Sequence, residues 1–228
     1  MKIIISYLLI LTLTLSFGSV FAASLPEQES PTAETIIVPD STNMEISSIQ
    51  GIDANNALLG MEKIVNNAKS AVVYEANSET LMYAWNPDVQ MYPASLVKIM
   101  TVFLAIKEAD LDELVTVSQE AVSAVPGDAV SAKLLPGEKL SVRDLLYCIL
   151  MSSASDACVV LAEHIGGSEA EFVKMMNQSA AELGCTGTNF TNSHGLHDDD
   201  QFSTARDSAR ILAEAIQNET FRLGRCVR

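Results

Sequence analysis

The stretch PASLVKIMTVFLAIK, residues 93–107, decides the fold because it passes directly from a loop into a long apolar run. Residues 96–107 are apolar on nearly every side of a helix, which is typical of a helix buried in a core. Ser95 lies at the start of this helix, where backbone N–H groups lack partners and attract negative charge. Lys98 follows three residues later on the same face, so the two side chains can meet.

This spacing of Ser95 and Lys98 predicts an activated nucleophile. A serine hydroxyl reacts poorly until a base removes its proton, and a lysine can be that base when burial and nearby positive charge lower its pKa. The same spacing occurs in many helices whose serine only caps the first turn, so spacing alone leaves both interpretations open. The apolar surroundings favour catalysis, because a lysine in a buried helix costs free energy unless it has a task or a partner.

The composition excludes some function classes. The chain has 228 residues, enough for one sizeable core or two small ones, and its hydrophobic content of 48% argues against general disorder. Acidic residues outnumber basic ones by 29 to 14, which gives a formal net charge of −15. Nucleic acid is therefore not an expected partner, since its binding depends on neutralising phosphates with Lys and Arg.

The first 56 residues are predicted to precede the folded part. Residues 1–22 combine Lys2, an apolar run to about Phe17 and small residues before Ala23, which is typical of a secretory signal peptide. A membrane anchor is the alternative, but the run is shorter than the ~20 residues that span a bilayer. Residues 23–56 begin with an acidic, proline-containing stretch and predict a disordered linker, so the folded part is expected from Ala57 onward.

The rest of the chain predicts a β-hairpin followed by helices. Residues 70–76 and 80–85 are β-prone runs that read as the hairpin, and residues 110–140 read as loop or short strands because of two Pro-Gly pairs. Capping boxes at residues 141–144 and 168–171 open helices, and another helix is expected over about 156–165. A last helix opens at residues 204–207, with one stripe made of Ala205, Ser208, Ala209, Leu212, Ala215 and Ile216.

A second motif, MSSASDAC at residues 151–158, lies between two predicted helices. Together with YPASLVKIMTVFLA at 92–105, it belongs to a similarity that covers about residues 68–222. The similarity includes LLPGEKLSVRDLLYCILMSSASDACVVLAEHIGG and FVKMMNQSAAELGCTGTNFTNSHGLHDDDQFSTARDSARILAEA. Over this length the chain resembles the low-molecular-mass penicillin-binding D-alanyl-D-alanine carboxypeptidases, peptidase family S11, which carry Ser-x-x-Lys, Ser-x-Asn and Lys-Thr-Gly motifs.

The resemblance implies an α+β fold of the β-lactamase/transpeptidase type, incomplete here, with an N-terminal β-hairpin and a predominantly helical remainder. It implies that Ser95 is the nucleophile, Lys98 its general base and Ser153 a proton relay to the leaving amine. The implied substrate is the peptidoglycan stem pentapeptide, which loses its terminal D-Ala through an acyl-serine that water hydrolyses. β-Lactams would acylate Ser95 as covalent inhibitors, and no cofactor or metal is expected.

Two departures from the family pattern bear on activity. Ser155 stands where the second motif ends in Asn, and its single short hydroxyl cannot donate and accept across the same span as an amide. No Lys-Thr-Gly follows Ser153, since Thr186-Gly187 comes after Cys185 and is not a match. That segment supplies a cation, a carboxylate contact and an oxyanion donor in the family, and one such donor is typically worth ~10²–10³ in rate.

These departures and the unfamiliar ending after Arg222 predict a truncated chain without the C-terminal strands or the family's C-terminal membrane anchor. The alternative function is therefore a weakly active or inactive remnant that at most binds wall peptide or β-lactam. Such a chain is expected to be marginally stable and to leave the apolar 96–107 helix poorly covered.

Other candidate residues favour structural interpretations. Cys148, Cys158, Cys185 and Cys226 fit no zinc spacing, and buried free thiols are favoured over disulfides, which an exported protein could also hold. A metal site is suggested by His194, His197 and the acidic residues 198–200. However, this segment resembles a structural loop of the same family.

Overall fold

The computed structural model describes residues 68–222. The predicted signal peptide at residues 1–22 and the predicted linker at 23–56 lie outside this range. So do residues 57–67, where the folded part is expected to begin, and the ending after Arg222.

The predicted β-hairpin is confirmed. Strands β1 (Ala71–Glu75) and β2 (Thr80–Trp85) pair antiparallel. The Glu75 carboxylate closes the turn between them by accepting the Ser78 N–H and hydroxyl, both at 2.6 Å, and the Asn77 amide at 2.9 Å. These bonds lower the pKa of Glu75 to about 2, with the Ser78 hydroxyl as the largest cause. The turn is thus held by its own polar side chains.

Helices dominate the remainder of the described range. A 3-10 turn, Ala94–Leu96, leads into the first helix. The helices in residues 68–222 are α1 (Val97–Glu108), α2 (Gln119–Ala124), α3 (Val142–Ser152), α4 (Ser155–Gly166), α5 (Glu169–Glu182), α6 (Ala205–Ala215) and α7 (Glu219–Arg222). A second antiparallel pair, β3 (Leu114–Thr116) and β4 (Lys139–Ser141), lies between α1 and α3 in the chain.

The segment 110–140 contains the expected short strands and a helix that the sequence pattern did not predict. Helix α2 is only six residues long, and Ser118 caps it by accepting the Ala121 N–H at 2.8 Å. Ala121 is its one buried residue, and Ala121 packs in the same core cluster as α4. So short a helix gives too little periodicity to recognise, especially with a Pro-Gly pair directly after it.

The predicted helix starts are confirmed in position. Ser141 and Asp144 form a complete capping box at the start of α3. Ser168 accepts the Glu171 N–H at the start of α5, while the Glu171 carboxylate accepts from Lys174 at 2.5 Å. The serine half of the second predicted box is therefore present, and its glutamate forms an ion pair along the helix instead.

The predicted apolar stripe of the 204–216 helix is wrong in its rotation. Among its members only Ala215 is buried, whereas Ile211 and Asp207 face the interior. Asp207 is buried because its carboxylate accepts the Gly187 N–H at 2.8 Å and the Thr188 hydroxyl at 2.9 Å. A buried carboxylate with partners on a neighbouring loop cannot be anticipated from apolar periodicity. Another short helix, α7, follows this one.

Helix α1 passes through the centre of the core, and the expectation that it would be poorly covered is wrong. One side of α1 packs with α2, α3 and α4 through Val102 and Ala105. The other side packs with α5 and α6 through Val97, Met100 and Leu104, all at most 1% exposed. These helices, together with Val115 of β3 and loop residues such as Phe190, bury this segment.

Two further features concern cysteines and membranes. Within residues 68–222 the thiols of Cys148, Cys158 and Cys185 are free. Cys158 and Cys185 are buried, whereas Cys148, which was expected to be buried, is half-buried, and Cys226 lies outside the described range. No helix between residues 68 and 222 has the length and hydrophobicity needed to cross a bilayer.

Candidate active site

Ser95 is presented by a tight turn that requires a glycine on the facing loop. Ser95 is the middle residue of the 3-10 turn, and Ala94 before it has a positive φ of 46°. Gly195 packs directly against this turn, so that a Cβ at Gly195 would collide with the Ala94 carbonyl. Gly195 also has φ +82°, a conformation that side chains disfavour. Two separate constraints therefore select glycine at the back of the Ser95 turn.

The sequence-predicted pair is brought together. Lys98 is the second residue of α1 and is 7% exposed, and its Nζ lies 3.5 Å from Ser95 Oγ. This distance is the outer limit of a hydrogen bond, which is common in catalytic sites without substrate. Lys98 Nζ also donates to the His194 carbonyl at 2.5 Å. The amine is thus held between the hydroxyl and one backbone oxygen.

The surroundings of Lys98 disfavour its charged form. Burial lowers the pKa of Lys98, and only the nearby Cys158 thiol opposes this effect. Among the described residues no Asp or Glu lies within 4.0 Å of its Nζ. The positive end of the α1 dipole disfavours a cation in the first turn as well. A lysine in these conditions can act as a base nearer neutral pH than an exposed lysine can.

Ser153 reaches the same point from the junction of two helices. It is the C-cap of α3 in the left-handed conformation, with φ +55°, and its N–H donates to the Ile149 carbonyl at 2.9 Å. Ser153 Oγ lies 3.2 Å from Ser95 Oγ. The sharp turn between α3 and α4 therefore completes a cluster of two hydroxyls and one amine.

Ser155, the other predicted site residue, lies two residues after Ser153 and is buried. It is the first residue of α4 and is 2% exposed, and its N–H donates to the Val130 carbonyl at 2.9 Å. Within residues 68–222 its hydroxyl makes no hydrogen bond to Lys98, whose amine donates to the His194 carbonyl instead. The structure thus brings Ser95, Lys98 and Ser153 together and leaves Ser155 beside them.

Sequence reasoning missed the loop that holds the lysine. The Asn192 side chain accepts the Gly195 N–H at 2.7 Å and folds the loop back on itself. Thr101, one turn beyond Lys98 on α1, donates to the Ser193 carbonyl at 2.6 Å. A threonine inside an otherwise apolar helix was a usable signal, because a buried hydroxyl needs a partner.

The two histidines of this loop, His194 and His197, lie in different surroundings. His194 is buried, whereas His197 is exposed, lies edge-on against the Tyr92 ring at 4.5 Å between centroids, and pairs with Asp199 at 3.3 Å. Across the described range no three His, Cys, Asp or Glu side chains are grouped in a way that could hold a metal ion.

The comparisons with known proteins agree on one family. The family model described as D-alanyl-D-alanine carboxypeptidase, Peptidase_S11, matches residues 60–224. The chain is 37% identical over 163 residues to the D-alanyl-D-alanine carboxypeptidase DacF of Bacillus subtilis, covering 69% of this chain and 41% of that protein. It is 36% identical over 172 residues to DacA of Haemophilus influenzae, covering 73% and 44%. The chain thus spans less than half the length of these relatives.

Solved structures show the fold. Penicillin-binding protein 5 from Haemophilus influenzae is similar with a TM-score of 0.62 and 38% identity, over 66% of this chain and 45% of that one. The Streptomyces K15 DD-transpeptidase, as an R248L mutant, is similar with a TM-score of 0.64 and 30% identity, over 68% and 64%. The predicted transpeptidase-like α+β fold is thereby confirmed for the matched part. The motifs, the fold and the family match together place this chain in the D-alanyl-D-alanine carboxypeptidase family, S11.

Proposed function

We propose that this chain is a serine-type D-alanyl-D-alanine carboxypeptidase of the bacterial wall that removes the terminal D-Ala from peptidoglycan stem pentapeptides. The observation that carries the proposal is the cluster of Ser95 Oγ, Lys98 Nζ and Ser153 Oγ, with distances of 3.5 and 3.2 Å from the Ser95 oxygen. A buried lysine without a carboxylate partner is costly for stability. The contact of the Lys98 amine with the hydroxyl of the exposed Ser95 therefore supports a catalytic role.

The proposed acylation uses these three side chains in order. Neutral Lys98 takes the proton of Ser95 Oγ as this oxygen attacks the carbonyl carbon between the two D-Ala residues. Ser153 then gives its proton to the leaving amine as the C–N bond breaks and takes the proton of the Lys98 ammonium in its place, so that D-Ala departs with a neutral amine and Lys98 is neutral again. The product is an ester on Ser95, and the backbone N–H of Ser95 is the proposed first donor to the oxyanion.

Deacylation completes the cycle. Lys98 again removes a proton, now from a water molecule that attacks the ester carbonyl. Lys98 then returns this proton to the Ser95 oxygen as the ester C–O bond breaks. A β-lactam would enter through the same first step, because its strained amide takes the place of the D-Ala-D-Ala bond. This gives an acyl-enzyme that can be detected even when turnover is slow.

Ser155 stays in the proposal as the substrate-side residue of the second motif. Replacing it by the family's asparagine, Ser155→Asn, is expected to raise the acylation rate about tenfold, since an amide can donate and accept where one hydroxyl cannot. An unchanged or lower rate in Ser155→Asn would remove Ser155 from the site.

We also propose that the protein acts outside the cytoplasm. The pattern of residues 1–22 supports export. Protein recovered from the cell envelope is expected to begin near Ala23, and an intact Met1 there would contradict cleavage.

The deciding experiment labels the full chain with a fluorescent penicillin and locates the label by mass spectrometry. Label on Ser95 that is abolished in Ser95→Ala supports the proposal. Ser152→Ala is the matched control, because Ser152 is exposed and it is Ser153, not Ser152, whose hydroxyl contacts Ser95. Release of D-alanine from a D-Ala-D-Ala peptide then tests turnover. No label at saturating penicillin would contradict the proposal and leave a remnant that does not catalyse.

A further inference from the structure

Ser193 and His194 form a bridge between helices α1 and α5. From α1, Thr101 Oγ1 donates to the Ser193 carbonyl at 2.6 Å and Lys98 Nζ donates to the His194 carbonyl at 2.5 Å. From α5, Glu169 Oε1 accepts the Ser193 N–H at 3.0 Å and the Ser193 hydroxyl at 2.6 Å. Two consecutive carbonyls are thus held by the helix that carries the lysine, and one carboxylate holds the same segment from the opposite side.

The His194 ring adds a third contact to this carboxylate. Its Nδ1 accepts the Leu196 N–H at 3.1 Å, so the neutral ring carries its proton on Nε2. Nε2 lies 3.7 Å from Glu169 Oε1. Burial lowers the pKa of His194, the Glu169 carboxylate raises it, and Lys98 lowers it. Because Nδ1 accepts the Leu196 N–H, it carries no proton, so the ring is neutral and does not place a second cation beside the lysine.

We propose that Glu169 is a positioning residue for the Ser95–Lys98 pair. Through Ser193 it holds the His194 carbonyl, and this carbonyl directs the Lys98 amine to Ser95. This inference rests on the proposed acyl-transfer function and deepens it. Among the hydrogen bonds of the described residues, Glu169 has none to Ser95 or Lys98, so it acts through the loop alone.

The first test compares three variants in the kinetics of acylation by a chromogenic β-lactam. Glu169→Ala removes the acceptor, while Glu169→Gln keeps a side-chain oxygen that can accept from Ser193. Glu171→Ala is the matched control, because Glu171 also lies in the first turn of α5 but, among the described residues, its carboxylate pairs with Lys174 at the surface and not with the loop. It removes the same helix-terminal charge without touching the loop.

Glu169→Ala is expected to lower the limiting acylation rate about 10–100-fold, because small displacements of a reacting group are costly. The β-lactam concentration at half-saturation should change little, since Glu169 does not touch the ligand. Glu169→Gln should recover most of the rate, and Glu171→Ala should match the parent chain. Equal rates in Glu169→Ala and Glu171→Ala, or no recovery in Glu169→Gln, would overturn the assignment.

The second test needs no activity and so separates this inference from the proposed function. The titration of the Lys98 amine is followed by NMR in ¹³C-lysine-labelled chain, with the signal assigned through Lys98→Met. Among the described residues, the titratable groups that interact electrostatically with Lys98 are the Cys158 thiol of α4 and the His194 ring of the loop. In Glu169→Ala the midpoint should rise toward the ordinary lysine value, because the amine leaves its buried position, while Glu171→Ala should leave it unchanged.

The two tests fail in different ways. If the parent chain is not acylated but the midpoint moves in Glu169→Ala alone, the proposed function fails and the positioning role stands. If Ser95 is acylated and the midpoint is the same in all variants, the function stands and the positioning role is wrong.

Discussion

Lys98 and Asp156 occupy equivalent positions in two neighbouring helices, but the fold gives many hydrogen-bond partners to the Asp156 carboxylate and few to the Lys98 amine. Each is the second residue of its helix, α1 and α4 respectively, and each is almost fully buried, at 7% and 2% exposed. Asp156 accepts hydrogen bonds from the Ser131 hydroxyl and the N–H groups of Ala132 and Leu134 at 2.7–3.0 Å. Within residues 68–222, the Lys98 amine has as hydrogen-bond partners the His194 carbonyl and, at 3.5 Å, the Ser95 hydroxyl.

The helix dipole sharpens this contrast. A carboxylate in the first turn of a helix is stabilised by the dipole, and an ammonium there is destabilised. Burial alone would raise the pKa of Asp156, but the bonds from Ala132, Ser131 and Leu134 together lower it. Burial lowers the pKa of Lys98 without compensation from a carboxylate. A buried charge that the fold satisfies is structural, and one that the fold leaves unsatisfied beside a nucleophile indicates chemistry.

The largest expected effect is on acylation when the unsatisfied charge is removed. Lys98→Met should slow the acylation of Ser95 by β-lactam about 10³-fold or more, because general base catalysis is typically worth 10²–10⁴. Lys107→Met is the control, since Lys107 belongs to the same helix but is half-exposed and pairs with Glu108. Rates are measured by stopped-flow with a chromogenic β-lactam, and similar slowing in both variants would refute the base role.

Removal of the satisfied charge should instead destabilise the fold. Asp156→Ala leaves the buried N–H groups of Ala132 and Leu134 without acceptors, so the free energy of unfolding should fall by about 3 kcal/mol. Denaturant titration measures this change. Asp128→Ala, in the same loop region but exposed, should change stability by less than ~0.5 kcal/mol. If Asp156→Ala left the free energy of unfolding unchanged, the hydrogen bonds of Asp156 would not stabilise the fold, and the contrast with Lys98 would be wrong.

A smaller loss of activity is expected when the turn behind Ser95 is displaced. Gly195→Ala drives a Cβ into the Ala94 carbonyl, and the resulting shift of Ser95 should slow acylation about 10²-fold. Gly137→Ala carries the same cost of a positive φ, +84°, but meets nothing within 4 Å. Comparing the two variants by β-lactam kinetics separates displacement of the site from backbone strain. Equal losses would mean that strain alone is responsible.

The smallest effect is a gain of stability in Lys98→Met. Because the pKa of Lys98 is lowered on folding, its charged form weakens the fold at neutral pH, and the penalty disappears as pH rises toward the unfolded value of 10.5. Lys98→Met should therefore stabilise the protein by about 1 kcal/mol at pH 7 and by less near pH 10. Thermal unfolding at both pH values measures this difference. A less stable variant at pH 7 would show that Lys98 supports the fold.

The sequence predicted those parts of the fold that local chemistry controls. The hairpin, helix α1 and the capping residues Ser141 and Thr204 follow from short-range patterns and were placed correctly. The rotation of α6 was not, because the buried Asp207 takes its partners from a distant loop. Helix α2 was too short to show periodicity.

In the candidate site, too, the residues that belong to sequence motifs were predictable and their supporting contacts were not. Ser95, Lys98 and Ser153 could be named because motifs carry them. The structure places Lys98 Nζ 3.5 Å and Ser153 Oγ 3.2 Å from Ser95 Oγ. The His194 carbonyl and the Glu169 carboxylate could not, since a backbone oxygen leaves no mark in sequence and the two elements meet only after folding. Support for a reactive group is thus harder to predict than the group itself.

The titration of the Lys98 amine in the parent chain tests the central claim most directly. Lys98 can serve as the base for Ser95 only if its environment disfavours the ammonium form. NMR of ¹³C-labelled lysine, with Lys98→Met for assignment, should give a midpoint clearly below the ordinary value of 10.5. A midpoint at or above 10.5 would contradict the account, because Lys98 would then remain charged at physiological pH and could not take the proton of Ser95.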